Sequence, residues 1–471
     1  MKYYPRGGEK SNKINHLRGR KNFTKIFIFD TVVVMKFIIL FMMLLVSCSP
    51  GLDRIPDSHD LKADVDLFLS TTDPDVEIKI LQRLKSAKVS HESVKGLLRQ
   101  RQNPANGKRG LQTGLKFKNN GKEYSYALYH PETTNTPLPM VIVLHGMGGN
   151  GDTTVSKWAK RLNNEFIVVC PSYPMGAWWA RPAEDMVLAL MDHTQSTYNV
   201  DTNRIFLAGL SNGAIGTYTI GMFYPDRFAG LIPIAGSITP RFMNFLINLR
   251  NTPIYMIQGA HDPIFPIKLS RRVNQILSDM KYPVIYREHG EKGMAHGGHF
   301  LPENEIPDLL EWIKKQKRVS NPDVVRMTRE NNHLGAIHWA RLNKGKNLAS
   351  LELPGPESPR PNNKNGKIAT LFAFRKGNNR FEIMGENLVE YDLFLNTETV
   401  DFSKTVTITT QKIQNQNNKL VPGEKKISYQ KKVKKDLSVL LYGYKQLRDP
   451  NQLYDARVNI LLETTLVQSR L

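Results

Sequence analysis

The feature that most restricts the fold is an alternation, over residues 110–318, of short apolar segments with segments of helical spacing. Such an alternation is typical of a mostly parallel sheet with helices on both faces, so the predicted fold class is α/β. Two antiparallel strands are expected first, and an amphipathic helix at 306–317 is expected to close this domain. The predicted strands lie at 115–118, 124–130, 140–145, 166–170, 205–210, 230–234, 254–259 and 284–287.

The rest of the chain differs in character, as expected for 471 residues, which are too many for one ordinary core. Residues 48–109 are predicted to be a tether and a short helical preface, in which Asp73 and Ser90 are placed to cap helices. Residues 319–471 are predicted to be a small β-rich domain with a mobile loop at 354–366. Its strands are expected near 369–375, 380–384, 390–395, 405–410 and 456–462, and its helix near 437–445.

Residues 1–47 have the layout of an upstream extension followed by a secretory signal. From Met35 the chain has a short positive start, an apolar core and a small residue before Cys48. Residues 45–48, Leu-Val-Ser-Cys, resemble a bacterial lipobox, which implies a lipid anchor on Cys48, and Pro50 favours the outer membrane. A single membrane span is the alternative, but the apolar stretch at 37–46 is short of the ~20 residues that a span needs. Met35 is therefore expected to be the true start of an exported lipoprotein.

The formal net charge of +22 would favour anionic partners. No pattern of a nucleic-acid module is present, so a solvated basic surface is predicted, with no nucleic acid as partner. The lysines at 431, 432, 434 and 435 are interpreted in the same way. Two cysteines provide no disulfide framework, and Cys170 is expected to be a buried strand residue.

A serine lies at the sharp turn between the strand predicted at 205–210 and the helix that follows. This serine turn, residues 209–213, reads Gly-Leu-Ser-Asn-Gly, and its glycines allow the strand and the helix to approach closely. A serine hydroxyl becomes a useful nucleophile only beside a base and beside donors that stabilise an oxyanion. Ser211 is therefore a candidate nucleophile whose partners must lie elsewhere in the chain.

The candidate partners follow other predicted strands. Asp262 comes three residues after the strand at 254–259, and His299 lies in a loop before the last helix. All three residues are expected at one edge of the sheet, where open α/β sheets place their sites. His296 in the same loop is the alternative base.

The strand at 140–145 runs into the glycine-rich segment 146–151, whose backbone N–H groups are unobstructed. The N–H groups of Met147 and Asn212 are predicted to form the oxyanion hole. A phosphate-binding loop is excluded because no Gly-Lys-Ser/Thr follows. His145 is expected to be a packing residue. Trp178 and Trp179 are interpreted equally as substrate contacts or as anchors of their loop.

These motifs resemble the α/β-hydrolase fold, closest to bacterial esterases of the polyhydroxybutyrate-depolymerase, feruloyl-esterase and phospholipase/carboxylesterase kind. The resemblance is carried by Leu144-His145-Gly146, the serine turn, residues 259–262 and Gly298-His299 before Pro302. It implies a serine esterase with the triad Ser211, Asp262 and His299. No cofactor or metal is expected, since no Cys/His cluster has ligand spacing.

The sequence leaves two other functions open. A prolyl-oligopeptidase-like serine peptidase shares the fold, although its turn usually continues with glycine where this chain has Ala214. A non-catalytic envelope-binding protein on a hydrolase fold is the other. Because no long insertion lies between residues 234 and 251, an open site is expected. Such a site suits an esterase that removes acetyl or feruloyl groups from polysaccharide.

Overall fold

The computed structural model describes residues 60–101, 107–132, 136–293, 297–351, 365–416 and 419–462. The predicted signal peptide, the proposed lipidation residue Cys48, the alternative base His296 and most of the predicted loop at 354–366 lie outside these ranges. None of the described helices is long and apolar enough to cross a membrane.

The α/β domain contains an eight-stranded sheet in the order β1-β2-β4-β3-β5-β6-β7-β8. Strands β1 and β2 form an antiparallel hairpin, β2 also pairs antiparallel with β4, and the remaining pairs are parallel. The predicted α/β class and its antiparallel start are therefore confirmed. The strands are β1 Gly110–Asn119, β2 Lys122–His130, β3 Leu138–Leu144, β4 Ile167–Pro171, β5 Val200–Leu210, β6 Gly230–Ile234, β7 Ile254–Gly259 and β8 Val284–His289.

Helices cover both faces of this sheet because successive strand side chains point to opposite faces. In β3, Met140 and Ile142 pack into one core while Val141 and Val143 pack into the other. The first core is covered by the helices at Arg181–Thr197, Asn212–Phe223 and Ile267–Asp279. The second is covered by the helices at Gly151–Arg161 and Ile306–Lys315. In chain order, after the three helices of the preface, these five helices are α4 Gly151–Arg161, α5 Arg181–Thr197, α6 Asn212–Phe223, α7 Ile267–Asp279 and α8 Ile306–Lys315.

The helical preface consists of α1 Leu61–Ser70, α2 Pro74–Ser86 and α3 His91–Gln100. The predicted caps are confirmed, since Asp73 accepts a hydrogen bond from the N–H of Asp75 and Ser90 accepts one from Ser93. These helices share a hydrophobic core with a helix near the other end of the chain, α9 Leu437–Leu447. That pairing joins segments more than 300 residues apart and was not predicted.

The β-rich domain contains two sheets that enclose one core. One sheet has the order β10-β11-β14-β17 and the other has the order β16-β15-β13-β12-β9. The sequence missed β9, β10, β11 and β16, which are absent from the predicted strands. The strands are β9 Val324–Arg329, β10 Gly335–Ile337, β11 Ala340–Gly345, β12 Ala369–Arg375, β13 Arg380–Glu386, β14 Leu388–Leu395, β15 Val406–Gln416, β16 Lys419–Lys431 and β17 Ala456–Leu461.

The β-rich domain is joined to the α/β domain by buried polar contacts. Asn248, in the 3₁₀-helical segment Pro240–Asn251, accepts a hydrogen bond from the N–H of Thr328 at 2.7 Å. Arg318 and Asp449 form an ion pair at 2.6 Å whose side chains are almost fully buried. Buried polar groups of this kind are stabilising only when each has its partner. Each domain therefore supplies the partners of buried polar groups of the other.

Candidate active site

Ser211 stands at a strained backbone position between β5 and α6. Its φ of 59° and ψ of −119° lie outside the regions that ordinary side chains favour. The flanking glycines make this turn possible: a Cβ on Gly209 would lie 2.2 Å from the carbonyl oxygen of Gly213. A Cβ on Gly213 would lie 2.0 Å from the carbonyl oxygen of Leu144. This strained strand-to-helix turn is the geometry that exposes a nucleophile at the end of a sheet.

Asp262 and His299 form a hydrogen-bonded pair at the end of β7. The distance between His299 Nδ1 and Asp262 Oδ2 is 2.9 Å, and the carboxylate is fully buried. Its other oxygen accepts hydrogen bonds from the backbone N–H groups of Ile264, at 2.8 Å, and Phe265, at 3.0 Å. The Phe265 ring stacks on the imidazole with an interplanar angle of 9°. These contacts fix the orientation of both side chains.

The loop that carries His299 lies directly on the end of β7. A Cβ on Gly259 would approach the carbonyl oxygen of Gly298 to 2.1 Å. The N–H of Gly298 also donates to the carbonyl of His261 at 3.3 Å. Glycine at residue 259 is therefore required for the His299 loop to reach Asp262.

The glycine-rich segment after β3 lies beside Ser211. The Cβ position of Gly146 is 3.3 Å from the Cβ of Ser211, and the N–H of Gly149 closes a turn onto the carbonyl of Gly146 at 3.2 Å. Asn212 is the first residue of α6, where backbone N–H groups have no acceptor within the helix. Within the described ranges, no backbone hydrogen bond uses the N–H of Met147 or Asn212. Both predicted donors therefore belong to segments next to Ser211.

His145 holds this segment in place as a buried packing residue, as predicted. Its Nδ1–H donates to the carbonyl of Gly146 at 2.7 Å, and its Nε2 accepts from the N–H of Tyr173 at 3.2 Å. Burial lowers the pKa of His145, which favours the neutral ring that these two bonds need.

The two tryptophans differ. Trp178 is completely buried, its Nε1–H donates to the carbonyl of His145 at 2.7 Å, and its ring packs against the imidazole. Of the two roles left open for Trp178, the structure supports the anchor, because the buried indole holds its loop to the core and is not available to a substrate. Trp179 is partly exposed, and its substrate contact stays a prediction.

Gln258 is a site residue that the sequence reading missed. Its side chain is 1% exposed, and its amide donates to Asp262 Oδ2 at 2.9 Å while its carbonyl accepts from the Ser270 hydroxyl. A polar residue in the otherwise apolar strand β7 was the available indication.

Comparisons with known proteins agree with this architecture. Residues 181–317 match the family model described as Phospholipase/Carboxylesterase, a range that includes Ser211, Asp262 and His299. A probable feruloyl esterase C from Aspergillus niger is 26% identical over 159 residues, which cover 31% of this chain and 57% of the relative. A poly(3-hydroxyalkanoate) depolymerase C from Paucimonas lemoignei is 30% identical over 114 residues, covering 21% and 28%.

Among solved structures, a thermostable esterase is 26% identical and covers 43% of this chain and 62% of its own, with a TM-score of 0.37. The chain thus spans about a quarter to somewhat more than half of the length of the two curated relatives. The α/β domain therefore has the α/β-hydrolase fold, and residues 181–317 within it are similar to the Phospholipase/Carboxylesterase family.

Proposed function

We propose that this protein hydrolyses carboxylic esters through an acyl-enzyme on Ser211. The observation that carries the proposal is the Asp262–His299 hydrogen bond of 2.9 Å at the sheet edge where the strained turn presents Ser211. A nucleophile, a base and a group that orients the base are the parts that acyl transfer requires.

His299 is proposed to act as the general base. Its Nδ1 is engaged by Asp262, so the proton there is fixed and Nε2 remains the acceptor for the Ser211 proton. As Ser211 Oγ attacks the ester carbonyl, the imidazole becomes positively charged, and the buried carboxylate stabilises that charge. The imidazolium then protonates the leaving alcohol, and water attacks the acyl-enzyme by the same route.

The developing oxyanion is proposed to bind the N–H groups of Met147 and Asn212. The N-terminal end of α6 adds its partial positive charge at this point. Preorganised donors of this kind are each worth about 10²–10³ in rate.

The proposed substrates are acetyl or feruloyl esters on polysaccharide, with Trp179 as a contact for the acyl or sugar group. Similarity to a feruloyl esterase supports this substrate class. The resemblance of residues 45–48 to a bacterial lipobox supports a further proposal, that the enzyme is anchored through Cys48 at the cell envelope, in the outer membrane.

Labelling with a fluorophosphonate probe tests the nucleophile. Wild-type protein should be labelled and Ser211→Ala should not, while Ser237→Ala, at another buried serine, should label as wild type. Equal labelling of Ser211→Ala would exclude Ser211 as the acyl acceptor.

A panel of p-nitrophenyl acetate, methyl ferulate, acetylated xylan and peptide anilides then tests the substrate. Faster cleavage of the anilides would favour the peptidase alternative, and no cleavage or labelling would favour a non-catalytic protein. His299→Ala is expected to be inactive and His296→Ala active, and the reverse result would make His296 the base.

A further inference from the structure

A cavity of about 980 Å³ lies between the α/β domain, the β-rich domain and α9. Phe223, the last residue of α6, contributes to its wall, whereas Ser211 precedes the first residue of the same helix. A helix of 12 residues is about 18 Å long, so the cavity is well separated from the proposed nucleophile. Its volume is in the range of about 300–1,000 Å³ that is typical of small-molecule sites.

Arg329, the last residue of β9, is a buried cation in the wall of this cavity. The residue is 1% exposed, and its Nη2 donates to the carbonyl of Ala336 at 3.2 Å. Its Nε and Nη1 are buried and bond no group in the part of the chain that the structure describes. Burial lowers its pKa to about 10, although Asp226 and Glu330 act in the opposite direction.

The nearby buried carboxylates are already used by another residue. Glu184 Oε2 lies 2.9 Å from His333 Nε2, and Glu330 Oε1 bonds His333 Nδ1. Glu330 Oε2 also accepts the N–H of Leu351 at 2.7 Å. Unlike the His333 imidazole, the Arg329 guanidinium has no carboxylate bonded to it within the described ranges. An unpaired buried charge of this kind is destabilising.

Among the side chains that line the cavity, positive charges outnumber negative charges. Five arginines and one lysine line it, against three aspartates. Asp192 is paired with Arg227 at 2.5 Å, and Asp226 accepts the backbone N–H of His338 at 2.9 Å. The third aspartate, Asp436, caps α9. The aspartates therefore each have their own partners.

Arg181 and Arg227 are closely paired with carboxylates, but two other arginines of the wall are only weakly neutralised. Arg341 and Arg457 share one carboxylate, that of Asp392, each at 3.9 Å. Arg341 also lies over the ring of Phe394, with its guanidinium carbon 4.9 Å from the ring centroid. The hydroxyl of Tyr454, another wall residue, is buried and bonds no described group. Cations, aromatic rings and a free hydroxyl together suit an anion with an organic body.

We propose that this cavity is a second binding site, which takes a small organic oxyanion, a carboxylate or a phosphate ester, on the Arg329 guanidinium. The planar fork of an arginine matches both groups with paired N–H donors. Arg341 and Arg457 would add long-range attraction, and the aromatic side chains would contact the body of the ligand. This site is separate from the ester-cleaving site, so it would hold a ligand that is not the reacting ester.

Thermal denaturation and calorimetric titration of the wild-type protein test the proposal. Galacturonate and galactose 6-phosphate are the probes, galactose is the neutral control, and inorganic phosphate tests the anion without its organic body. Sodium chloride is used to match the ionic strength. At least one sugar anion should raise Tm and bind measurably, whereas galactose should do neither. No response to any of the anions beyond that to chloride would overturn the proposal.

Arg329→Met separates a ligand contact from a structural role. Replacing an unpaired buried cation by an apolar side chain of similar length should leave Tm without anion unchanged or raised. Affinity for the anion should fall about thirtyfold or more, the usual effect of losing one partner of a buried charge pair. Arg326→Met, in the same strand but outside the cavity wall, should bind as wild type. Unchanged affinity in Arg329→Met would overturn the proposal.

A second variant keeps the test valid if Arg329→Met fails to fold. Arg341→Met, at a partly exposed side chain of the cavity wall, should fold and bind the sugar anion more weakly than wild type. Wild-type affinity in this variant would contradict the assigned cavity. Tighter binding of galacturonate than of both phosphates would identify a carboxylate ligand. Tighter binding of galactose 6-phosphate would identify a phosphate ester. If inorganic phosphate bound as tightly as galactose 6-phosphate, the site would recognise the phosphate alone and not an organic body.

Discussion

Two buried charges in this protein have opposite surroundings. The Asp262 carboxylate accepts four hydrogen bonds, from two backbone N–H groups, the Gln258 amide and the His299 imidazole. Within the described residues, the Arg329 guanidinium donates one hydrogen bond, to a carbonyl oxygen. A fully bonded charge is held in one orientation, which suits a group that must orient a base. A charge with unused donors suits a group that meets its partner from outside the chain.

The largest expected effect is the loss of kcat when Asp262, the charge with four hydrogen bonds, is replaced. Asp262→Asn should lower kcat for p-nitrophenyl acetate by about 10⁴, because an amide cannot hold the required tautomer of His299. Asp201→Asn, at a partly exposed carboxylate after the start of β5, should retain wild-type kcat. A loss of less than tenfold in Asp262→Asn, with Tm unchanged, would show that the bonded pair is structural.

The serine turn should be the next most sensitive feature. Gly213→Ala would place a methyl group 2.0 Å from the carbonyl oxygen of Leu144, so the turn must shift. We expect kcat to fall by about 10² or more, and stability to fall by about 1–3 kcal/mol in chemical denaturation. Gly96→Ala in α3, where a Cβ meets nothing within 4 Å, should instead stabilise by about 0.5–1 kcal/mol. Wild-type activity in Gly213→Ala would contradict the strained geometry.

Gln258 tests how much the full bonding of Asp262 contributes. Gln258→Leu removes one of the four donors, so kcat should fall about tenfold while KM stays within twofold. Ser270→Ala, which leaves the donor to Asp262 intact, should have a smaller effect on kcat. An equal loss in both variants would indicate a packing role for Gln258.

Two histidines of the cavity wall should change stability with pH in opposite directions. Burial lowers the pKa of His338 to about 4, so its neutral form favours folding above pH ~6.5 and this stability is lost as the pH falls toward 4. Two buried glutamates raise the pKa of His333, so its contribution is present below pH ~6.5 and is lost as the pH rises through its folded pKa. His338→Asn, which suits the positive φ of 50°, should reduce the loss of Tm between pH 6.5 and 4. The same loss of Tm between pH 6.5 and 4 in His338→Asn as in the wild-type protein would contradict this assignment.

The comparison also shows which parts of the site were predictable. Ser211 and Asp262 were predicted from short local motifs, because each follows a buried strand whose apolar run is visible in the sequence. His299 was predicted from its motif in the loop before the last helix. Gln258 was missed and the role of Trp178 was left open, since both roles depend on neighbours from other segments. Nothing local marks Arg329 as unpaired, because its burial results from the packing of two domains.

The fold, too, was predictable from the sequence in some parts and not in others. The α/β alternation determined the eight-stranded sheet, because the 2.0 and 3.6 residue periods are local properties of strands and helices. The missed strands β11 and β16 are rich in polar and charged residues, which hide the period of a strand with one exposed face. The missed strand β10 has only three residues, too few to show a period.

By itself, the sequence determined the fold class, the serine turn and the order of the candidate triad. Only the tertiary structure decided the core that α1–α3 share with α9, the hydrogen bonds that orient Asp262 and the burial of Arg329 without a bonded carboxylate among the described residues. The physical reason is that these features depend on contacts between segments far apart in the chain. Whether a polar side chain is buried and whether it has a partner depend on such contacts, and a local sequence pattern does not contain them.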